Sequence, residues 1–369
     1  MAIKPLAGLK VLDATSNIAG PYGGAILADL GADVIKIEVP TGDPSRSMAP
    51  IDGDKSAYFN IVNRNKTVRG INLKSVDGMA ELNTLLESAD IFLTNFLPDR
   101  LAALHLTPNE LMSKYPRLIF GNLTSYGATG ADASMPGYDA TVQARTGIMH
   151  VTGEPDGRPV RAGVSVLDIG AGTWLAMGIL AAVIERSKTG KGSLVETSLY
   201  ETGISWVSYH LAAYQISGKP SVRSGAGHPT FSPYGIFETS DGDICIGVGS
   251  DGVFTKLCEQ IGRSDLIINS LYAKNVDRVA NKASLHKEIE SALKGQSAIY
   301  WAKKLGSHGV PADLVVPPEA LFNDQQEKEV GMLLPNPDKD SAVKWIPGLP
   351  IKINGARPEI YRSAPHKSS

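Results

Sequence analysis

The stretch LKVLDATSNIAGPYGGAILADLGADVIKIE, residues 9–38, decides the fold class. Residues 9–13 (LKVLD) read as a short buried strand. Ala19, Gly20 and Pro21 break the chain after it, and residues 22–30 carry helical spacing. Gly31 suits the position just past a helix because it tolerates positive φ. Residues 32–38 (ADVIKIE) then read as a second strand. Strand, turn, helix and strand within about thirty residues is the length of a parallel crossover unit.

Outward from this unit the alternation continues. Residues 68–73, 90–94 and 117–123 read as strands, and 78–88 and 108–115 as helices, the latter with Pro108 in its first turn. Repeated β–α alternation predicts an α/β domain with helices on both faces of a mostly parallel sheet. After residue 200 the pattern changes. Helical spacing runs to about Ser217, and residues 218–233 are rich in Gly, Ser, Pro and His and read as a linker or loop. Residues 234–237 and 244–248 look like antiparallel strands joined at Asp241–Gly242. Helical segments at 253–261, 283–293 and 298–306 complete a smaller α+β unit, and the chain from about Pro317 is Pro-rich and loop-like. The predicted division is 1–217, 218–316 and 317–369.

Composition excludes several classes. The 369 residues are 43% hydrophobic and 20% charged, ordinary for a globular chain. Formal net charge is −2 and the pI about 6.4, so electrostatics give no reason to expect a nucleic-acid partner. Cys245 and Cys258 read as reduced thiols, and the N-terminal sequence has no signal or transit pattern, so a cytoplasmic location is expected. The longest apolar run, residues 174–184 (WLAMGILAAVI), is too short for ~30 Å of hydrocarbon and is expected to be a core helix with no membrane role. None of the seven histidines pairs with a second ligand at helical spacing, so no metal is expected. The sequence contains no G-x-S-x-G or H-E-x-x-H motif.

Three motifs admit two readings each. Gly247-x-Gly249-x-x-Gly252 follows a strand and precedes a helix, as a dinucleotide site requires, but no βαβ unit surrounds it; a glycine-rich turn is the simpler reading. The first βα turn, residues 17–24 (NIAGPYGG), occupies the usual ligand position of an open α/β sheet, or is only a tight turn. Asp168, in VSVLDIGAGTW, follows an apolar, strand-like run and precedes a helix. It reads either as an N-cap accepting helix N–H bonds, or as a reactive carboxylate beside backbone donors able to hold an oxyanion.

Several segments together resemble the family III CoA-transferases, the CaiB/BaiF-type family, over nearly the whole chain. These are PLAGLKVLDAT with LADLGADVIKIE and GDPSR, NRNKTVRGINLKS (63–75), DIFLTNFLPDRL (90–101), and GYDATVQARTGIMHVTGEPDGRPVRAGVSVLDIGAGTW (137–174). PYGIFETSDGDICIGVGSDGVF (233–254) and HGVPADLVVPPEAL (308–321) continue the match. The resemblance implies an interlocked homodimer in which N- and C-terminal segments form a large Rossmann-like domain and a smaller α+β domain is inserted between them. It implies that Asp168 is a nucleophile carrying first an acyl group and then coenzyme A, moving CoA from an acyl-CoA donor to a carboxylic acid acceptor, by family habit a small dicarboxylic acid. By matching, CoA contacts fall on Ala19, Leu73, Asn95, Phe96 and Tyr138. Asp139 matches an acidic position beside the active site, and Arg46, Lys74 and Arg100 are candidate phosphate partners.

The chain departs from the family pattern at Val39, often basic, and at Ile18, a glutamine in formyl-CoA transferases. GHPTFSPYG (227–235) stands in place of their glycine-rich loop, which argues against formyl-CoA:oxalate transfer. The resemblance also admits 2-methylacyl-CoA racemases, but these need a histidine base where Tyr138 stands, and a phenol with pKa of about 10 is a weak base at neutral pH. A catalytically silent CoA-binding protein is a third reading, and the presence of Asp168 argues against it.

Overall fold

The computed structural model describes residues 3–367. The chain divides into two compact units: the first holds the chain up to Ile148, Arg161–Ile216 and everything from Phe322 on, and the second holds Met149–Val160 and Ser217–Leu321.

The first unit is built on strands β1 (Lys10–Asp13), β2 (Asp33–Glu38), β3 (Thr67–Gly70), β4 (Ile91–Thr94), β5 (Ile119–Thr124) and β6 (Leu194–Ser198). They form one sheet in the order β3-β2-β1-β4-β5-β6, every neighbouring pair parallel. This is the doubly wound order, with its reversal beside β1. The central strands β4 (IFLT) and β5 (IFGNLT) are buried along their whole length, as parallel strands covered on both faces must be.

Helices α1 (Ala19–Asp29), α2 (Val76–Leu86), α3 (Pro98–Ala103), α4 (Asp139–Arg145), α5 (Val166–Thr189) and α6 (Leu199–Trp206) complete the unit's main elements. On one face Leu27, Leu175 and Ile179 of α1 and α5 pack with Val11, Ile91 and Ile119 of the sheet. On the other, Leu82 and Leu86 of α2 pack with Phe92 and Phe120, whose rings meet edge to face at 5.5 Å. The expected α/β sheet with helices on both faces is therefore present.

Two expectations about α5 are corrected. The run before Asp168 is not strand-like: the helix begins at Val166 and continues for 24 residues to Thr189, where Gly190 ends it at φ 72°. The apolar stretch seen in the sequence is its middle. By length and composition alone α5 could cross a membrane. Here Leu167, Ala171, Leu175 and Ile179 bury one face against the core.

The second unit carries a three-stranded antiparallel sheet of β7 (Tyr234–Glu238), β8 (Asp243–Gly247) and β9 (Ala312–Leu314) in the order β9-β8-β7. Helices α7 (Asp251–Gln260), α8 (Lys282–Leu293) and α9 (Ala298–Ser307) pack on it around Phe237, Ile246, Leu257 and Leu305. The glycine motif at Gly247 ends the β7–β8 hairpin, and Ser250 caps α7 by accepting the Val253 N–H. No crossover unit surrounds it.

Residues 149–160 fall in the second unit although the sequence division placed them in the first. The reason lies in long-range backbone contacts. Gly225 N–H donates to Gly153 O, and the Arg223 guanidinium donates to the carbonyls of His150 and Glu154. The C-terminal segment lies on the first unit, where Asn65 binds the backbone of Glu359, Tyr361 and Arg362.

Candidate active site

The site lies at the carboxyl ends of β1, β4 and β5, where an open α/β sheet leaves a crevice. Two small-residue contacts set its geometry. A Cβ on Gly172 of α5 would lie 2.4 Å from Ala19 O, and one on Gly23 of α1 would lie 2.9 Å from Gly172 O. The two helices therefore touch backbone to backbone. Asp168 sits one turn before Gly172, so this contact brings its carboxylate to the start of α1.

The β1–α1 loop is held from below. Asn95, just past β4, clamps Ser16: its Oδ1 accepts the Ser16 N–H at 3.1 Å and its Nδ2 donates to Ser16 O at 2.9 Å. Lys36 Nζ donates to Thr15 O at 3.0 Å and pairs with Asp43 at 2.7 Å. Asp43 in turn accepts the N–H of Asn17, which adopts φ 67°. Beneath these, Lys66 pairs with Asp13 at 2.7 Å, both side chains fully buried. The ammonium groups of Lys66 and Lys36 offset burial and hold the Asp13 carboxyl below its ordinary range.

Asp168 has the opposite surroundings. It is half-buried and third in α5, so the cap reading, one of its two from the sequence, does not hold; the N-cap is Ser165, which makes no side-chain cap. Asp139, first residue of α4, occupies the helix amides instead, accepting the Leu167 N–H at 2.8 Å and the Asp168 N–H at 3.3 Å. Burial, with the Asp139 carboxylate beside it, raises the Asp168 pKa from 3.8 to about 7.

Two cavities meet here. The smaller, about 250 Å³, is lined by Asp168, Ala19, Asn95, Tyr138 and Ser16 among others. The larger, about 1440 Å³, is lined by Leu73, Phe96, Lys74, Arg100 and again Ser16. Asp168 and the five expected CoA contacts thus line one of two adjoining cavities: Asp168, Ala19, Asn95 and Tyr138 the first, Leu73 and Phe96 the second. The Arg100 guanidinium lies 3.7 Å over the Phe96 ring, and Lys74 is exposed at the same cavity. Asn95 lines the cavity with its amide already committed to Ser16, so it shapes the loop.

Arg46 is the correction. It is 6% exposed, forms a two-pronged ion pair with Glu38 at 2.8 and 2.9 Å, donates to Pro365 O and stacks on Phe59. It lines neither cavity. A guanidinium so committed fastens the C-terminal segment and has no donor left for a phosphate.

Comparison with known proteins gives the family. A family model described as CoA-transferase family III matches residues 6–368. The chain belongs to this family. Among its relatives, an acetyl-CoA:oxalate CoA-transferase from Acetobacter aceti is 36% identical over 95% of this chain and 90% of its own length. A succinyl-CoA:glutarate CoA-transferase from Homo sapiens is 34% identical over 96% of this chain and 83% of its own. A crystal structure of a CaiB/BaiF family protein from Brucella suis superposes with TM-score 0.87 at 34% identity, covering 98% of this chain and 96% of that one. This family III CoA-transferase is thus an enzyme that handles CoA thioesters and acids.

Sequence reasoning missed Lys36, Asp43 and Gln143. A charged residue inside an apolar strand, Lys36 in DVIKIE, is the visible sign of a buried ion pair. Gln143 gave no comparable signal.

Proposed function

We propose that this enzyme passes CoA from an acyl-CoA to a short carboxylic acid through covalent intermediates on Asp168. The single observation that carries the reading is the Asp168 carboxylate itself, at the edge of a small cavity beside a second carboxylate, with its pKa raised to about 7. Raised basicity makes a carboxylate a better nucleophile, at the cost of a smaller ionised fraction at neutral pH.

An Asp168 oxygen attacks the thioester carbonyl, and the C–S bond breaks to leave a mixed anhydride and a thiolate. The thiolate attacks the aspartyl carbonyl, which gives an aspartyl-CoA thioester and releases the donor's acid as a carboxylate. The acceptor carboxylate then attacks that thioester, expelling the thiolate and forming a new anhydride. Thiolate attack on the acceptor's carbonyl yields its CoA ester and restores Asp168. No water enters, so the thioester's free energy is conserved.

The residues fit such a substrate. Lys74 and Arg100 at the larger cavity offer cations to phosphates, Leu73 and Phe96 offer an apolar floor, and the cavity adjoins that of Asp168 through Ser16. The smaller volume, about 250 Å³, suits a reacting acid of few carbons, in keeping with the oxalate, succinate and glutarate in the names of the relatives. We also propose a homodimer. Met177 and Ile184 of α5, with Trp206, Tyr209, Tyr214 and Ile216, are large, apolar and exposed on the first unit, and a second copy of the chain would cover such surface.

The test is trapping. After incubation with an acyl-CoA, borohydride or hydroxylamine treatment and peptide mass spectrometry are expected to place the modification on Asp168. Freshly purified Asp168→Asn protein that exchanged CoA at the normal rate would overturn the reading. Exchange of an α-proton with solvent deuterium, without an adduct, would point to a racemase.

A further inference from the structure

Asp168 stands at the N-terminus of a long helix, where backbone N–H groups normally stabilise a carboxylate and lower its pKa. In this enzyme those groups are already taken. Asp139 Oδ2 accepts the N–H groups of Leu167 and Asp168. What holds Asp139 there is a fully buried amide. Gln143, one turn further along α4, donates from Nε2 to Asp139 Oδ1 at 2.5 Å and accepts the Ala162 N–H on Oε1 at 2.9 Å. The orientation of this amide follows from its partners: Ala162 N–H can only donate, so Oε1 faces it and the NH2 faces the carboxylate.

We infer that Gln143 is a positioning residue for the transfer reaction: by fixing Asp139 on the first amides of α5, it keeps those amides away from the Asp168 carboxylate and leaves that carboxylate free to face the cavity. The inference rests on Asp168 being the nucleophile. Gln143 lines neither cavity and acts only through Asp139.

The other titratable groups on the elements around Asp168 are few. Tyr138 precedes α4 and lines the same cavity, and Arg145 in the last turn of α4 is exposed and paired with Asp132. On α1, Asp29 is paired with Arg64, and Tyr22 is the other titrating side chain. On α6, Glu201 is held by Ser198 beside Tyr200; β5 brings none, and Glu196 of β6 is exposed. Asp139 is thus the carboxylate whose position governs the one at Asp168, and Gln143 governs Asp139.

The experiment uses full-length enzyme, an acyl-CoA donor and an acid acceptor. Gln143→Met keeps the length of the side chain and removes both hydrogen bonds. Released, Asp139 leaves the α5 amides, and these become available to Asp168. The acidic limb of the kcat–pH profile is expected to move to lower pH by about one unit. The kcat itself is expected to fall about 10–100-fold, and the KM for the acyl-CoA to stay within about twofold because the larger cavity is untouched. Gln143→Glu is the second variant. At pH 8 its carboxylate still accepts the Ala162 N–H but cannot donate to Asp139, so kcat should fall in a protein whose fold is preserved.

Wild-type kcat and an unmoved acidic limb in folded Gln143→Met overturn the inference. Should that variant fail to fold, full activity of Gln143→Glu at pH 8 overturns it as well. If Asp168→Asn is inactive while both Gln143 variants behave as wild type, this inference alone fails. If Asp168→Asn is active, the proposed function fails with it.

Discussion

Two groups of buried charge in the first unit are built on opposite rules. Beneath the β1–α1 loop, Asp13 and Asp43 each meet an ammonium, from Lys66 and Lys36, at 2.7 Å. At the start of α5, Asp168 meets another carboxylate, Asp139, and among the described residues no Lys, Arg or His lines the small cavity that Asp168 borders. Burial penalises the charged forms of Asp13, Asp43 and Asp168. In the first group opposite charge overcomes the penalty and holds Asp13 and Asp43 low. At Asp168 no cation offsets it, and its pKa rises to about 7. The matched group fixes backbone, and the unmatched one retains the basicity that a nucleophile needs.

The contrast breaks most sharply at Asp168. Replacement by Asn removes the nucleophile and should lower CoA exchange by about 10³-fold or more, read by mass spectrometry on freshly purified protein. In the matched group the loss should appear as stability. Lys66→Met strands the Asp13 carboxylate, which is 0% exposed, without its nearest cation. That should cost about 3–5 kcal/mol in urea unfolding, whereas a small change would mean that water or Lys36 takes over.

A smaller effect of opposite sign sharpens the comparison. Between about pH 4 and pH 7 the native state keeps the Asp168 proton that the unfolded chain has released. The unfolded state then binds fewer protons, and stability falls as pH rises through that window. Asp168→Asn removes this loss. The variant should match wild type near pH 4 and exceed it by about 1–3 kcal/mol at pH 8 in paired denaturant titrations. Equal stabilities at both pH values would mean the carboxylate is not strained in the native state.

The smallest effect concerns the cations outside both groups. Arg100→Ala, which removes a guanidinium resting on Phe96 at the larger cavity, should raise the KM for acyl-CoA about 3–10-fold with kcat little changed. Arg46→Ala should leave KM alone and lower the melting temperature, because that guanidinium ties Glu38 to the carbonyl of Pro365. A reversal of the two results would exchange their roles.

The sequence by itself marked strands β1 to β5, β7 and β8, from the period of the apolar residues in stretches such as LKVLD, ADVIKIE and DIFLT, and left β6 and β9 unread. It carried the family in its ordered segments, and it singled out Asp168 and five residues that line the two cavities. Local periodicity reports which face of an element is apolar, and that is decided by neighbours a few positions away. What charged groups do is decided by distant neighbours. Arg46 read as a phosphate partner until Glu38 and Pro365 were found around it. Asp168 read either as a helix cap or as a reactive carboxylate, and Asp139, from a separate helix, sits on the amides that a cap would have taken. Only the tertiary structure decided which carboxylates met a cation and which met one another, because Coulomb energy and desolvation depend on distance and burial in space, which spacing along the chain does not encode.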